Sequence, residues 1–254
     1  MTRYRFVVEG VACVALLCAG TVLAAPTAQQ KCDGARVKAW RTYVSCVENV
    51  HARHAVGSLT STDVYESSAR CRHNYFRQWA TLQGAAYTGS TCISNRFTDN
   101  GDQTVTDNLS GLTWEKKSDD GSIHDKDNSY TWSTGSPFKE SGTAFTGFLG
   151  TVNGGGGFGG ANGWRLPTVA ELQTILLDFA CTGAFGGTQC QCGSTPCIEP
   201  ALDAINTCST FHWSATTYLG YPQGAWIVDF SDGLVGVGYP KNAPSCVRAV
   251  RGGL

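Results

Sequence analysis

The sequence predicts an α+β protein in which a disulfide-linked pair of helices precedes a domain of short antiparallel strands. Apolar residues repeat at helical spacing between residues 37 and 79, and they alternate with polar residues after residue 96. The cysteines of the two parts are even in number, which suits separate disulfide sets. We therefore divide the chain into three segments: residues 1–24, 25–95 and 96–254.

The first segment has the features of a signal peptide. Two arginines precede an apolar run from Val11 to Leu23, and a small-residue pattern ends at Ala24. The run is short for a membrane span. We predict cleavage after Ala24, no membrane span, and a location that is secreted, periplasmic or at the cell surface.

Cysteine spacing predicts how the helical pair is closed. Of the 12 cysteines, two fall in the signal peptide, and the remaining ten are expected to form disulfides in an exported chain. Cys46 and Cys71, and likewise Cys32 and Cys92, lie almost symmetrically about the turn at Gly57, so we predict nested bridges Cys46–Cys71 and Cys32–Cys92. Six cysteines remain with 15 possible pairings: Cys181, Cys190, Cys192, Cys197, Cys208 and Cys246.

Two histidines of the first helix, His51 and His54, are spaced so that they could share a metal ion. No acidic or thiolate partner lies at a suitable spacing, and histidines are common on exposed helix faces. We therefore interpret both as ordinary surface residues.

A capping box marks the helix of the C-terminal segment. Thr168 and Glu171 can each satisfy a backbone donor that the first turn leaves unpaired, so the helix should begin at Thr168. An apolar stripe follows at helical spacing. Its members are Leu172, Ile175, Leu176 and Phe179.

Three ordered segments resemble a known family. They are residues 96–116, which end in Leu-Thr-Trp-Glu-Lys, then Trp164-Arg-Leu-Pro-Thr-Val-Ala-Glu-Leu, then the tail from Trp213 to Arg-Ala-Val-Arg-Gly. Together they resemble the Lcl C-terminal domain family. The resemblance covers residues 96–254 and implies a fold similar to C-type lectin-like and formylglycine-generating-enzyme domains.

Four short apolar runs in the tail predict an antiparallel sheet. In the run Ala225–Phe230, Trp226, Val228 and Phe230 share one face and should pack in the core, while Ile227 and Asp229 share the other. Tyrosines flank the polar turns of this sheet, where we expect them to be exposed.

In related lectin-like scaffolds this sheet and its loops bind the ligand, so the resemblance implies a carbohydrate or surface-protein ligand. Exposed aromatic rings and amides suit both classes. The candidate ligand-binding residues are Tyr218, Tyr221, Gln223, Asp229, Tyr239, Lys241 and Asn242.

An acidic loop between Trp114 and Trp132 offers the oxygen ligands that calcium prefers, of which Asp125, Asp127 and Asn128 are the candidates. The glycine and the terminal glutamate of an EF-hand loop are missing, so we favour a solvated loop.

A glycine tract at 153–163 lacks the Lys-Ser/Thr of a nucleotide-binding loop. We predict that it is a mobile loop that carries Phe158, either as a ligand contact or as a tether.

Charge and motifs narrow the function. Residues 31–95 carry eight Lys and Arg against four Asp and Glu, net +4, whereas residues 96–254 carry nine against fifteen, net −6. The acidic domain argues against sulfated polymers as ligands, and we predict no nucleic-acid partner.

Hydrolase motifs are missing and the thiols are expected to be paired, so we predict a non-catalytic adhesion or binding protein. The alternatives are a surface-appendage subunit that self-associates through the hairpin, and a formylglycine-generating-enzyme-like oxidase.

Overall fold

The computed structural model describes residues 25–84, 86–87, 90–92, 95–177, 192, 195–202 and 206–253, so the predicted signal peptide lies outside the described residues. A helical pair is followed by antiparallel strands, which confirms the predicted α+β class. The C-type lectin-like topology stays a prediction. In the described part of the chain, no helix is both long and apolar enough to cross a bilayer.

Helices α1 (Ala28–Ala55) and α2 (Ser61–Gly84) form the predicted hairpin. A capping box of Thr27 and Gln30 starts α1. Both predicted bridges, Cys46–Cys71 and Cys32–Cys92, are present and confirmed. Because the bridges are nested, they hold the two helices side by side and antiparallel.

The strands are short, and all of their pairings are antiparallel. They are β1 (Ala86–Tyr87), β2 (Ser90–Thr91), β3 (Phe97–Asp99), β4 (Thr104–Asp107), β5 (Leu112–Glu115), β6 (Tyr130–Thr131), β7 (Phe211–Thr217), β8 (Gly224–Asp229), β9 (Val235–Pro240), β10 (Pro244–Ser245) and β11 (Val250–Gly252). Two sheets matter for the site: a four-stranded sheet in the order β11-β5-β4-β3 and a three-stranded sheet in the order β7-β8-β9.

Short helical segments connect the sheets. They are a π-helix (Ala144–Leu149), α3 (Gly150–Val152), a 3-10 turn (Phe158–Gly160), α4 (Val169–Gln173) and a second 3-10 turn (Pro200–Leu202). Helix α4 contacts β7, β8 and α1, and α2 contacts β9. The helical pair therefore lies against the C-terminal elements.

One hydrophobic cluster extends from the helical pair into the C-terminal part of the chain. It joins Tyr43 and Tyr75 of the hairpin to Trp114 of β5 and to Trp226 of β8. Tyr43 also donates a hydrogen bond from its hydroxyl to the carbonyl of Ala170 in α4, at 2.7 Å. The hairpin and the strands thus share a continuous core, which the sequence did not predict.

The three-stranded sheet is buried on both faces. Trp226, Val228 and Phe230 pack in the cluster that the hairpin shares, as predicted, whereas Ile227 on the opposite face belongs to a second cluster with Trp213. The second cluster also contains Trp132, Phe148 and Trp164. The face opposite Trp226 is therefore buried as well and is not free to bind a ligand.

Helix α4 begins as predicted and ends earlier. The Thr168 hydroxyl accepts a hydrogen bond from the Glu171 amide, and the Glu171 carboxylate accepts one from the Thr168 amide, so the capping box is confirmed. The helix ends at Gln173, after which the amides of Thr174 and Leu176 donate three residues back, to the carbonyls of Glu171 and Gln173, and the Thr174 carbonyl accepts from the guanidinium of Arg96. The apolar stripe is still buried as far as Leu176, and Phe179 lies outside the described residues.

Candidate functional site

Six of the seven predicted ligand-binding residues lie at one end of the three-stranded sheet. The Tyr218 amide donates to the Gly224 carbonyl at 3.0 Å, and the Lys241 amide donates to the Gln223 carbonyl at 2.9 Å, which brings the β7–β8 turn beside the end of β9. Asp229 lies at the other end of β8, roughly 16 Å away at about 3.3 Å per residue. Its carboxylate accepts from the Ser231 amide and so shapes the β8–β9 turn.

The structure therefore separates Asp229 from the rest of the predicted set. The residues that it brings together are Tyr218, Tyr221, Gln223, Tyr239, Lys241 and Asn242.

Tyr218 and Tyr239 are partly buried, so the prediction that they are exposed is wrong. The Tyr218 ring stacks on His54 with centroids 5.3 Å apart and meets the Trp226 ring edge-on at 5.8 Å. The Tyr239 ring lies 5.2 Å from the rings of both Phe211 and Trp213. Both tyrosines flank polar turns in sequence, but neighbouring elements cover their rings.

Lys241 is also buried, with only 2% of its surface exposed. Its ammonium donates to the hydroxyl of Thr217 at 2.8 Å and to the carbonyl of Phe138 at 3.2 Å, and it lies 3.8 Å from the centroid of the Trp132 ring. Burial lowers the pKa of Lys241, which the nearby Glu140 opposes. The prediction that Lys241 faces a ligand is therefore wrong; it fastens the end of β9 to β7.

The exposed remainder of this region forms what we call the turn surface, defined as Leu219, Tyr221, Gln223 and Asn242. Leu219 is 75% exposed and Tyr221 is 47% exposed, and the two polar residues are also exposed. Leu219 was missed because it is a lone apolar residue inside a turn, where strand alternation carries no information.

The histidines of α1 are not ordinary surface residues, which corrects the prediction from sequence. The His51 ring stacks on Trp226 at 3.9 Å, and His54 stacks on Tyr218. Burial, together with the neighbouring His54, lowers the pKa of His51 to about 4. Helical spacing identified the pair, but no signal in the sequence indicated that a strand some 170 residues further along would cover it.

The acidic loop is organised by its own hydrogen bonds. One oxygen of Asp125 accepts from the amides of Asp120 and Gly121, at 2.8 and 2.6 Å, and the other accepts from the Asp127 amide at 2.8 Å. These backbone hydrogen bonds lower the pKa of Asp125, and the hydrogen bond from the Asp127 amide has the largest effect. The side-chain Nδ2 of Asn128 donates to the Ser122 carbonyl at 2.7 Å.

A cation of the chain itself already lies among these carboxylates. Asp119, Asp125 and Asp127 have oxygens within 4.8 Å of one another, but the ammonium of Lys126 pairs with Asp119 at 2.8 Å and with Asp127 at 3.1 Å. The geometry fits the favoured interpretation of a solvated acidic loop. Calcium binding by Asp125, Asp127 and Asn128 stays a prediction.

Phe158 is a tether. Its ring stacks on His124 at 4.0 Å and lies 5.4 Å from the ring of Trp164, whose indole donates to the carbonyls of Phe158 and Ala161. These contacts fasten the glycine tract across the acidic loop. Of the two roles predicted for Phe158, the packing therefore favours the tether.

A buried carboxylate beneath this tether has no free oxygen. Glu115 accepts from the Lys117 ammonium at 3.1 Å, from His124 Nδ1 at 2.8 Å and from the Ala249 amide at 2.8 Å. Burial opposes its ionisation, but Lys117 and the hydrogen bonds lower the pKa of Glu115 below its ordinary value. Donors of the fold occupy both oxygens, which indicates a structural role.

Cysteine pairing accounts for eight of the ten cysteines. Besides the two hairpin bridges, the structure contains Cys192–Cys197 and Cys208–Cys246, so all four described bridges join cysteines of the same predicted segment. Cys181 and Cys190 lie outside the described residues.

Two shallow grooves lie elsewhere on the described surface. One, of about 370 Å³, runs between α1 and α2 beside the Cys46–Cys71 bridge. The other, of about 540 Å³, lies between the β3–β4 turn and the acidic loop and is lined by Asp99, Lys116 and Asp120 among others. Two charged side chains that line this groove, Asp99 and Lys116, form an ion pair with each other at 2.9 Å.

Comparison with known proteins identifies a family. The model of the Lcl C-terminal domain matches residues 103–251, which is more than half of the chain. The match runs from the β3–β4 turn into β11, so it includes the turn surface and begins after the helical pair. No curated protein and no solved structure matches the chain. The chain belongs to the Lcl C-terminal domain family.

Proposed function

We propose that the protein is an exported, non-catalytic binding protein that recognises a carbohydrate or protein ligand through the turn surface. The observation that carries the proposal is the exposure of Leu219 and Tyr221 on one short turn. Only four large apolar side chains are strongly exposed in the described part of the chain, and this turn holds two of them. Clustered exposed apolar groups are typical of binding sites.

The turn is also rigid, which favours binding. The Tyr221 amide donates to the Tyr218 carbonyl, and the Gly224 amide donates to the Tyr221 carbonyl at 2.8 Å. The buried ammonium of Lys241 and the stacked ring of Tyr218 support the turn from below. A preformed surface loses little conformational entropy when a ligand binds.

The charges favour an uncharged ligand. A sulfated polymer would need clustered free cations on a domain of net charge −6. Arg248 is buried, Lys241 is buried, and both guanidinium nitrogens of Arg165 bind the Glu171 carboxylate at 2.6 and 2.7 Å. A neutral sugar or an apolar protein surface suits Tyr221, Gln223 and Asn242 better.

The packing disfavours the alternative of an appendage subunit that assembles through the hairpin. Helix α1 buries Trp40, Tyr43, Val47 and Val50 within the molecule. These side chains are therefore not available for self-association.

The test is a binding screen of the mature protein against neutral glycans and extracellular-matrix proteins, with and without calcium. A variant carrying Tyr221→Ala and Gln223→Ala should lose at least about 1 kcal/mol per anchor, roughly a fivefold weaker affinity for each. The matched control is Leu234→Ala, which removes an exposed apolar side chain from the opposite end of the same sheet.

Unchanged affinity in the double variant, or an equal loss in the control, would contradict the proposal. Binding that requires calcium and disappears in Asp125→Asn would instead move the site to the acidic loop.

A further inference from the structure

A continuous line of contacts joins α1 to the turn surface. His51 stacks on Trp226 at 3.9 Å, and His54 stacks on Tyr218 at 5.3 Å. The hydroxyl of Tyr218 lies so close to Gly220 that a Cβ added there would come within 2.6 Å of it. The Tyr218 ring is therefore held between a histidine of the hairpin and the backbone of the turn that carries Leu219 and Tyr221.

The ring nitrogens of the two histidines have few hydrogen-bond partners among the described residues. His54 Nδ1 lies 2.7 Å from the carbonyl of Leu59, which can only accept, so Nδ1 carries the proton. Nε2 of His54 and Nε2 of His51 are buried without a hydrogen-bond partner among the described residues. A proton on Nε2 of His51 would be a buried N–H donor without an acceptor among the described residues, and protonation would place a positive charge on that ring.

The surroundings of the pair do not compensate such a charge. Arg53 of α1 and Asp63 of α2 interact with each other across the α1–α2 turn. The sheet meets the pair with the uncharged rings of Tyr218 and Trp226. A cation above an indole face gains some attraction, whereas burial and the neighbouring His54 disfavour the charged ring and lower the pKa of His51 to about 4.

We propose that His51 and His54 are positioning residues for the turn surface, and that protonation of His51 loosens the β7–β8 turn so that ligand is held at neutral pH and released in acid. The statement about ligand rests on the proposed function. The statement about the turn does not, because it concerns the free protein.

Hydrogen exchange of the ligand-free mature protein tests the proposal. The amides of Tyr218, Tyr221 and Gly224 report on the β7–β8 turn, and those of Asp229 and Gly233 report on the β8–β9 turn of the same sheet. Between about pH 7.5 and about pH 5, after correction for intrinsic exchange, opening of the first turn should increase at least about fivefold. The second turn, which the histidines do not touch, should change much less.

A variant with His51→Phe and His54→Phe keeps two planar rings and removes both imidazoles, so its β7–β8 turn should lose the pH response. Gly220→Ala should loosen the turn at neutral pH by displacing Tyr218 from the opposite side. An unchanged turn in the parent protein in acid, or the same pH response in the double variant, would overturn the proposal.

Two further measurements keep the test decisive. The parent comparison of the two turns, together with the single variant His51→Phe, still decides the question when the double variant fails to fold. Tyr221→Ala should leave the exchange response intact, so loss of binding in that variant and loss of the pH response are separate outcomes.

Discussion

The two faces of the three-stranded sheet are buried in different ways. On the face that belongs to the C-terminal part alone, the Trp213 indole donates to the Tyr130 carbonyl at 2.8 Å and the Trp132 indole donates to the Ser214 carbonyl at 3.0 Å. On the face that α1 covers, Trp226 packs against His51, whose Nε2 has no hydrogen-bond partner among the described residues.

The two faces should therefore differ in how their stability depends on pH. Indoles that donate to backbone carbonyls do not titrate, so the first face should be insensitive to pH. On the second face the contact between His51 and Trp226 should weaken when His51 is protonated, because burial disfavours the charged ring. The sheet thus has one fixed face and one face that depends on pH, and the turn surface lies at the end of both.

The largest expected effects come from the buried indoles. Trp226→Ala and Trp213→Ala should each lower the free energy of unfolding by about 3–5 kcal/mol. The cost should be greater at Trp213, because that substitution also leaves the Tyr130 carbonyl without its donor. Denaturant unfolding measures both, and a smaller loss at Trp213 than at Trp226 would contradict the ranking of the two faces.

The second largest effect is expected in acid, which should destabilise the face of the sheet that α1 covers. The folded-state pKa of His51 is lowered to about 4, below its ordinary value of 6.5, so the unfolded chain binds more protons below about pH 6.5. Stability is therefore complete above that pH and falls as the pH drops towards 4, by at most about 3 kcal/mol. Buried His212, with a pKa lowered to about 3 by burial and by Arg248, extends the loss to lower pH.

Unfolding curves of His51→Phe and of the parent at several pH values test this prediction. The variant should lose less stability between neutral pH and about pH 4.5 than the parent does. Identical pH dependence in the two proteins would show that His51 does not titrate against the sheet.

The entry of α4 offers a smaller effect on the same face, since Leu172 packs in the cluster that the hairpin shares. Thr168→Ala removes the acceptor of the Glu171 amide and should cost about 1 kcal/mol. The Arg165–Glu171 pair should keep the helix in place. Coincident denaturant midpoints for the variant and the parent would show that the capping box contributes nothing to stability.

The smallest effect is expected at the exposed turn. Tyr221→Ala should change stability by no more than about 0.5 kcal/mol, because nearly half of the side chain is in solvent. Thermal unfolding measures it. A loss comparable to that of a buried aromatic residue would mean that Tyr221 supports the fold, and its role as a ligand anchor would then need another explanation.

Sequence reasoning succeeded where the signal is local. Thr168 and Glu171 lie three residues apart, and the hairpin cysteines lie symmetrically about one turn, so both features could be predicted. It failed where a distant element decides the outcome. The carbonyl that follows α4, that of Thr174, accepts from Arg96, and the ring of Tyr218 is covered by His54, which precedes it by more than 160 residues.

Alternation along β8 correctly placed Trp226 in the core, because a strand's own pattern identifies its faces. The same pattern cannot identify which other element covers each face. Six of the seven candidate residues therefore lie together at one end of the sheet, yet three of them, Tyr218, Tyr239 and Lys241, are partly or fully buried under neighbouring elements.

The central claim is that the hairpin supports the turn surface through the contact between His54 and Tyr218. A double-mutant cycle at neutral pH tests it most directly, with His54→Ala, Tyr218→Ala and the combined variant compared by denaturant unfolding. The account predicts a coupling free energy of about 0.5–1.5 kcal/mol, as for other stacked ring pairs. Losses that add to within about 0.3 kcal/mol would contradict it, since the two rings would then act independently.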